Sequence, residues 1–419
     1  MNLEQQVVTI ARQAKAASRV AAGLTTDQKN TLLETMATHV QRAAAQILDE
    51  NQRDVDAATA SGQHTAVFLD RLTLNTARIT EMVQGLQDVI ALPDPIGQVV
   101  REWIRPNGLT VRKIRIPLGV IGMIFEARPN VIVDAAGLCI KSGNAIILRG
   151  GSEAIRSSTM LGNILQDACQ QAGIDPHLVQ VLPMTERAAM QILVQQSAYI
   201  DLMIPRGSEP LMRWMAEHSK IPVIKHDKGI CHVYVDREAD LAMATKIIVN
   251  AKVQRPGVCN AMETLLVHET IAAQLLPALW KRLHAANVTM YGCPATCKIL
   301  PDTRPATPTT WDTEYLDLKM SCRVVPSTEA ALQHIAEHGS RHTEVIVTAN
   351  ATTAQHFLRT VDASAVMWNA STRFNDGGQL GLGAEIGIST TKTHAYGPMG
   401  LEELTTTKFV VLGAGQVRG

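Results

Sequence analysis

The sequence has no excess of charge of either sign. Its 39 basic residues balance 39 acidic ones, and no long basic run occurs. Nucleic acids and anionic membrane surfaces attract clustered positive charge, so neither is expected as the main partner. No apolar run approaches the roughly 20 residues that cross a bilayer, and the N-terminal segment lacks the apolar stretch of a signal peptide.

A paired set of metal ligands is also missing. Seven cysteines, an odd number, are scattered through the chain, which favours reduced thiols and a cytoplasmic location. Cys293 and Cys297 have a ligand-like spacing, but no second pair completes a zinc site, so no metal is expected. His334 and His338 have helical spacing, and Gly339 is expected to end their helix, so we predict a solvated helix face there.

The chain of 419 residues is long enough for two or three domains. Residues 3–60 predict two helices. From residue 118 onward, apolar runs alternate with helix-like segments, which predicts a mostly parallel, doubly wound sheet in an α/β fold. A second series of strands after Cys259 predicts a domain boundary near residue 255. The runs are GVIGMIF, NAIILR, VQVLP, DLMIP, IPVIK and CHVYVD, then TLLVH, VTMYG, RVVP, EVIVT and AVMWN.

Two segments outside this alternation predict exposed strands. Residues 99–117 form two extended arms around Asn107-Gly108, a pair that favours the positive φ values of a tight β-hairpin turn. The tail ends in another strand near 404–412. Exposed strand edges need covering, so we expect a homo-oligomer.

Polar residues follow three of the predicted strands. Asn130 opens a helix after the strand that ends at Phe125, at the carboxyl edge where open α/β folds bind ligands; a helix cap is an equally weighted alternative. Another strand ends at Arg149 and runs into Gly150-Gly151-Ser152, and Gly207-Ser208 repeats this pattern. Backbone N–H groups before a helix favour phosphate or ribose oxygens. Both turns are weak signals, and the GxGxxG fingerprint is absent.

Cys259 stands apart from the other cysteines by its position. A catalytic thiol needs access, thiolate character and donors for the oxyanion that forms on attack. Cys259 follows the turn Arg255-Pro256-Gly257 at the start of the second series of strands, where it could face a cleft between domains. Most cysteines are core residues, and we favour that interpretation for the other six.

The order of these segments resembles the aldehyde dehydrogenase superfamily and, more narrowly, the gamma-glutamyl phosphate reductase family. The resemblance runs from about Asp70 to the C-terminus. It rests on EARPNV, LRGGSEA, PRGS, HVYVD, QRPGVCNAMETLLVH, TEYLDL, RHTEVIVT, NASTRFNDGG and GAEIGISTTKTHAYGPMGLEELTTTK. It implies a cofactor-binding α/β domain at 1–98 and 118–255 and a catalytic α/β domain at 256–395. Residues 99–117 and 396–419 would form a small β element for oligomerisation.

The resemblance also implies an activity. The chain would reduce L-glutamate 5-phosphate to L-glutamate 5-semialdehyde with NADPH and release phosphate, in proline biosynthesis. Cys259 would be the nucleophile that forms a thioester, and Asn130 with the Cys259 backbone N–H would form the oxyanion hole. By the same resemblance, Arg149, Gly151 and Ser152 would meet the adenosine ribose, Gly207 and Ser208 the pyrophosphate, Glu314 the nicotinamide ribose, and Arg128, Arg255, Arg373, Asn375 and Asp376 the substrate.

Two departures from the superfamily bear on the reaction and the cofactor. Hydrolytic aldehyde dehydrogenases carry a water-activating glutamate in ELGGK, whereas this chain has KHDKG, with His226 or Asp227 near that position. A base that activates water would cause the thioester to be hydrolysed before it is reduced, so the absence of such a base fits reduction. Ser152 stands where NAD-preferring relatives often carry glutamate, and with Arg149 it makes room for a 2′-phosphate. Glu153, one residue away, weakens this inference.

Three alternatives remain. An oxidising aldehyde dehydrogenase with water or coenzyme A as acceptor requires a base near residue 226. A non-catalytic scaffold that binds nucleotide predicts the loss of Cys259 or Asn130, and both are present. A purely partner-binding role is disfavoured by a nucleophile, an oxyanion donor and cofactor turns in order. Docking to glutamate 5-kinase, which makes the labile acyl phosphate, is compatible with catalysis.

Overall fold

The structure, a computed structural model, describes residues 1–225 and 228–418. The chain forms two compact units, the first of Met1–Lys225 with Leu382–Gly387 and Met399–Gly419, and the second of His226–Gly381 with Ile388–Pro398. The change of unit therefore comes after Lys225 rather than near residue 255. The reason is that the strand Cys231–Val235 hydrogen-bonds within the sheet of the second unit.

Five helices open the first unit: α1 Leu3–Ala21, α2 Thr26–Arg42, α3 Ala44–Ala60, α4 Ala66–Leu72 and α5 Thr76–Ala91. Residues 3–60 thus hold three helices instead of the predicted two, because Ala43 leaves helical geometry between α2 and α3. The first two helices begin with capping boxes. The side chains of Asn2 and Thr25 each accept the backbone N–H of the glutamine three residues later. The side-chain oxygen of that glutamine accepts the backbone N–H of the cap residue.

A parallel four-stranded sheet with the order β5-β4-β3-β6 forms the core of this unit. Its strands are β3 Val120–Phe125, β4 Ala145–Arg149, β5 Val179–Val181 and β6 Leu202–Arg206, and its helices are α6 Val131–Lys141, α7 Ile155–Gln171, α8 Arg187–Leu193 and α9 Glu209–His218. The chain adds β4 and β5 on one side of β3 and β6 on the other, so a topological switch point lies beside β3. The predicted strand IPVIK contributes only a single bridge, from Val223 to Met203.

A small antiparallel sheet completes the first unit. β1 (Val99–Ile104) pairs with β2 (Thr110–Pro117), which confirms the hairpin, and the C-terminal strand β16 (Thr405–Leu412) pairs with the other side of β2. Only Gly108 has a positive φ in the connection, at 84°, so this loop differs from the expected two-residue turn. β1 and β16 are both edges of this sheet. They expose the apolar side chains of Val99, Val100, Ile104, Phe409, Val411 and Leu412.

The second unit is built on a seven-stranded sheet with the order β10-β9-β11-β8-β7-β12-β13, in which every neighbouring pair is parallel. Its strands are β7 Cys231–Val235, β8 Met262–His268, β9 Thr289–Gly292, β10 Arg304–Pro305, β11 Lys319–Val325, β12 Thr343–Val347 and β13 Ala365–Trp368. The helices are α10 Leu241–Val253, α11 Glu269–Ala285, α12 Pro294–Ile299, α13 Thr328–His338 and α14 Ala351–Thr360, and β14 Ile388–Ser389 pairs with β15 Gly397–Pro398.

One of the two histidines predicted on a solvated helix face is buried. Helix α13 ends at His338 before Gly339, as expected, but His334 is only 1% exposed. Burial lowers the pKa of His334 to about 2, so its ring is neutral and accepts from Arg323 Nη1 at 2.8 Å. In the part of the chain that the structure describes, no group of three or more potential ligands could hold a metal ion. No described helix combines the length and apolarity that crossing a membrane requires.

A fully buried ion pair joins helix α10 to strand β8. Lys252 Nζ lies 2.8 Å from Glu263 Oε2, and neither side chain is exposed. The other oxygen of Glu263 accepts the N–H of Leu316 at 3.2 Å. Burial raises the pKa of Glu263 to about 7, although Lys252 acts in the opposite direction. The carboxylate therefore depends on Lys252 for compensation.

We expect Lys252→Met to lower the free energy of unfolding by about 3–5 kcal/mol, because it leaves Glu263 buried without a counter-charge. Lys246→Met is the matched control: Lys246 lies on the same helix but is exposed, and its loss should cost no more than about 0.5 kcal/mol. Urea unfolding followed by circular dichroism measures both. Equal midpoints for the two variants would contradict the prediction.

Candidate active site

The segment between β3 and α6 carries Asn130. Its side chain does not cap helix α6, so the structure does not adopt the alternative role that the sequence left open. Nδ2 donates instead to Asp134 Oδ2 at 2.9 Å. An amide nitrogen carries two hydrogens, so Asp134 uses only one of them.

The turn between β6 and α9 is in contact with a carboxylate from the segment after β3. Ser208 donates its backbone N–H to Glu126 Oε2 at 3.0 Å and its hydroxyl to Oε1 at 3.1 Å. A Cβ at Gly207 would lie 2.8 Å from Glu126 Cδ, so this position of the carboxylate requires glycine. Glu126 thus uses the N–H that the resemblance assigns to a pyrophosphate.

A second carboxylate holds the same segment from the other side. Glu153 Oε1 accepts the N–H of Ala127 at 2.9 Å. Ala127 has φ 42°, in the left-handed region that costs energy for residues other than glycine. The hydrogen bond helps to hold Ala127 in that conformation and so fixes the path of the chain from β3 toward Asn130.

Arg149 lies half-buried at the end of β4. Its Nη2 donates to the carbonyl oxygen of Thr185 at 3.2 Å. Burial lowers the pKa of Arg149, Glu153 acts against this and Arg187 adds to it. Ser152 is exposed in the short helical turn that follows β4. The edge of the sheet therefore combines two guanidinium groups with an uncharged hydroxyl.

In the second unit some predicted site residues precede strands, whereas Arg373, Asn375 and Asp376 follow β13. Cys259 comes before β8 and Glu314 before β11, and Gly229, which the sequence did not single out, comes before β7. These strands are parallel neighbours or share a neighbour, so their amino ends lie along one edge. Cys259 and Glu314 thus lie at the amino edge of their sheet, whereas the residues predicted in the first unit lie at the carboxyl edge of theirs, where open α/β folds usually bind ligands.

The main chain at Cys259 is confined on both sides of its carbonyl group. Cys231 Sγ donates to the Cys259 oxygen at 3.1 Å. Burial raises the pKa of Cys231 well above its usual range, so Cys231 remains a thiol that can donate. Gly229 packs so closely on the same oxygen that any Cβ would overlap it. The Cys259 side chain is half-buried, so a fixed backbone presents a partly accessible thiol.

The residue after the thiol is tied to the loop that the sequence assigns to substrate. Asn260 Nδ2 donates to the Asn375 carbonyl oxygen at 2.9 Å. Asn375 is fully buried, and its Nδ2 donates to Thr343 Oγ1 at the start of β12 at 2.8 Å. This position anchors the loop, whereas Arg373 and Asp376 beside it are half-buried.

Two arginines accompany the thiol within the second unit. Arg373 Nε donates to Gln254 Oε1 at 2.8 Å. Burial lowers the pKa of Arg373 and Arg255 lowers it further, while Asp376 and the Cys259 thiol act in the opposite direction. Arg255 and Cys259 therefore both lie within electrostatic reach of Arg373, and the cluster suits an anionic ligand.

Glu314 belongs to the same edge. Its Oε1 accepts the N–H of Gly229 at 2.9 Å, and Gly229 is the residue that confines the Cys259 carbonyl. Two residues later, the N–H of Leu316 binds the buried Glu263. The segment that carries Glu314 is thus fixed at two points.

Several contributors were not identified from the sequence, and some predicted residues remain unplaced. Glu126 and Cys231 have partners that are distant in sequence and set by the fold. Asp134 is only four residues from Asn130, and that spacing could have indicated the contact. Arg128 is half-buried in the segment before Asn130. His226 and Asp227 lie outside the described residues.

Comparison with known proteins identifies the family of the chain. A model of the aldehyde dehydrogenase family matches residues 2–296. The gamma-glutamyl phosphate reductase of Desulforapulum autotrophicum is 54% identical over 418 residues, which is 100% of both chains. The enzyme of the same name from Desulfatibacillum aliphaticivorans is 53% identical with the same coverage.

Solved structures extend the comparison. The crystal structure of gamma-glutamyl phosphate reductase from Thermotoga maritima is 42% identical with a TM-score of 0.96, and the match covers 99% of this chain and 100% of that one. An acetylating aldehyde dehydrogenase from Geobacillus thermoglucosidasius is 17% identical with a TM-score of 0.70, over 100% of this chain and 98% of that one. At that identity the likeness concerns the fold alone.

We expect Gly229→Ala to lower kcat by about 100-fold, because the added Cβ displaces the Cys259 carbonyl and misplaces the thiol. Gly257→Ala is the matched control, since a Cβ there would meet only the Leu316 oxygen, at 3.7 Å. Steady-state kinetics with both variants, at equal folded content by circular dichroism, tests this. Wild-type kcat in Gly229→Ala would show that the confinement of the carbonyl is dispensable.

Proposed function

The chain belongs to the aldehyde dehydrogenase family and within it to the gamma-glutamyl phosphate reductases, and we propose that Cys259 is its nucleophile. The reaction reduces L-glutamate 5-phosphate to L-glutamate 5-semialdehyde and releases phosphate, in proline biosynthesis. The observation that carries the proposal for Cys259 is its half-buried thiol on a backbone held by Gly229 and Cys231. None of the other cysteines is predicted to act in catalysis.

Cys259 acts by covalent catalysis. Its thiolate attacks the acyl carbon, the bond between that carbon and the phosphate oxygen breaks, and a thioester with phosphate as the leaving group results. When bound, a nicotinamide cofactor would supply the hydride that reduces the thioester, and the resulting thiohemiacetal on Cys259 would release the aldehyde and regenerate the thiolate. No residue has to activate water, because the nucleophile that attacks the thioester carbon is hydride rather than water.

Arg373 and Arg255 bind the negative charge of the substrate and of the leaving phosphate. Their guanidinium groups lie within electrostatic reach of one another, an arrangement that is unfavourable unless an anion separates them. Asp376 suits the ammonium group of the glutamyl substrate. Arg128, half-buried after β3, is a further candidate for the phosphate.

Asn130 and the Cys259 backbone N–H donate to the oxyanion. The side chain of Asn130 makes no capping hydrogen bond to α6, so helix capping does not explain an asparagine at this position. This supports the role as oxyanion donor. The Nδ2 hydrogen that Asp134 does not use is the donor. Loss of one such donor typically costs about 100- to 1000-fold in kcat.

The cofactor is a nicotinamide dinucleotide, and NADPH rather than NADH is the form that we propose. Arg149 with Arg187 offers positive charge to a 2′-phosphate, and Ser152 beside them carries no charge that would repel it. The Glu153 carboxylate, which would otherwise favour a free ribose hydroxyl, is bound to the N–H of Ala127. Gly151, Gly207 and Ser208 accommodate the ribose and the pyrophosphate, and Glu314 holds the nicotinamide ribose.

The small antiparallel sheet supports the proposal of a homo-oligomer. Its two edge strands, β1 and β16, expose Val99, Ile104 and Phe409, and unpaired edges of this kind are suited to pairing with a second copy. A cytoplasmic location and docking to glutamate 5-kinase remain predictions from the sequence.

We expect phosphate-dependent reduction of NADP⁺ when L-glutamate 5-semialdehyde is supplied, with a higher kcat/KM for NADP⁺ than for NAD⁺. Cys259→Ala should lower this rate by at least about 1000-fold, because the covalent route is lost. Cys293→Ala, which changes a half-buried cysteine outside the site, should retain it. A rate that does not depend on phosphate would indicate an oxidising dehydrogenase. Activity in Cys259→Ala would show that Cys259 is a structural residue and not the nucleophile.

A second expectation concerns Glu126, whose carboxylate uses the Ser208 N–H that a pyrophosphate needs. Glu126→Gln removes this like charge and should lower the KM for NADPH by about 3- to 10-fold, with kcat nearly unchanged. Glu209→Gln is the matched control, because its carboxylate lies at the same helix start but binds Arg213. A higher KM in Glu126→Gln would make Glu126 a cofactor ligand instead of a competitor.

A further inference from the structure

We propose that Asp134 is a positioning residue, which holds the Asn130 amide in the orientation that leaves one Nδ2 hydrogen for the oxyanion. The inference rests on the role proposed above for Asn130. Asp134 itself has no contact with the substrate in this proposal, and it acts through Asn130 alone.

The contact selects one of the two orientations of the amide. An asparagine side chain can present either its oxygen or its nitrogen to a neighbour, and only the nitrogen donates. An ionised carboxylate accepts hydrogen bonds but cannot donate them, so Asp134 Oδ2, 2.9 Å from Asn130 Nδ2, excludes the orientation in which Oδ1 faces it. The residues are four apart, and Asn130 has helical φ and ψ values immediately before α6, so both side chains lie on one side of that helix.

Packing limits the movement of the carboxylate. Asp134 is half-buried, and its second oxygen faces helix α5, where a Cβ at Gly85 would lie 3.6 Å from Oδ1. The side chain is therefore enclosed between α5 and α6. A rigid acceptor restricts the amide more than a mobile one, and a donor that is fixed before the reaction begins stabilises developing charge without reorganisation.

The ionised carboxylate of Asp134 lowers the stability of the folded state. Burial raises the pKa of Asp134 to about 6, Asn130 acts against this, and the neighbouring Glu81 raises it further. A carboxyl whose pKa is raised on folding destabilises the folded state at every pH above that pKa, since the ionised form is the one that is disfavoured. A residue kept for stability would have the opposite effect. An uncharged residue at position 134 would avoid the cost, so its carboxylate points to function.

The experiment measures kcat, KM and melting temperature at pH 8 for Asp134→Ala, Asp134→Asn, Asn130→Ala and the double variant Asn130→Ala/Asp134→Ala. We expect Asp134→Ala to lower kcat by about 10- to 100-fold with both KM values unchanged. Asp134→Asn should lose less, because its oxygen can still accept from Asn130. In the Asn130→Ala background, Asp134→Ala should cause no further loss, since the residue has nothing left to orient.

Melting temperatures separate positioning from a structural role. Asp134→Asn should melt at or above the wild-type temperature while its kcat is lower. An acidic residue near the start of a helix can also act by complementing the helix dipole, and in that case the same variant would melt lower. Glu81→Gln is the matched control: it removes a nearby exposed carboxylate, and it should leave kcat unchanged at this pH.

Three results would overturn the proposal. Wild-type kcat in Asp134→Ala, with a large loss in Asn130→Ala, would reject Asp134 and leave the role of Asn130 intact. Equal losses from Asp134→Ala with and without Asn130 would assign it a purely structural effect. Wild-type kcat in Asn130→Ala would reject the proposed oxyanion donor itself, and the role of Asp134 with it.

Discussion

Burial closes the central parallel strands to a ligand along their length, and this constraint limits where the proposed site residues of each unit can lie. β3 is buried at every position, as are β7, β8 and β12. Polar groups can therefore approach a ligand only where strands end. In the first unit the proposed residues lie at the carboxyl edge of the sheet, at Asn130 and two glycine turns. In the second unit the proposed residues Cys259 and Glu314 lie in connections before strands, and Arg373 and Asp376 lie after β13.

Carboxylates then stabilise the connections at these edges. Glu126, Glu153 and Asp134 each accept from an N–H group of the segment after β3 or of the turns beside it, and Glu314 does the same for the turn that confines Cys259. Such bonds fix irregular backbone without a regular ladder, because a charged acceptor binds an N–H more strongly than a neutral one. They also bring negative charge to the edge where an anionic cofactor is proposed. Glu126 thus organises a loop and, in the proposed function, competes with the cofactor for the N–H of Ser208.

The sequence predicted those features of the fold and of the site that local patterns encode. Apolar runs located most of the strands, Asn107-Gly108 located the hairpin, and the turn before Cys259 distinguished it from six other cysteines. Contacts between segments that are distant in sequence could not be predicted from it. Glu126 and Ser208 are 82 residues apart in sequence, and no spacing rule pairs them. His334 shows the same limit, because a helical stripe of histidines does not reveal which side faces a sheet. The break at Ala43 was missed since alanine favours helix.

The return of the C-terminal segment to the first unit orders the events of folding. β2 lies between β1 and β16, and Asn144 Nδ2 donates to the carbonyl oxygen of Leu404 at 2.9 Å. During synthesis, which proceeds from the N-terminus, β2 lacks β16 as a partner until the strands of the second unit have also been made. Both parallel sheets, by contrast, draw all their strands from continuous stretches and need no late segment. One side of β2 consequently stays unpaired while the second unit is synthesised, a period in which it is open to the wrong neighbour.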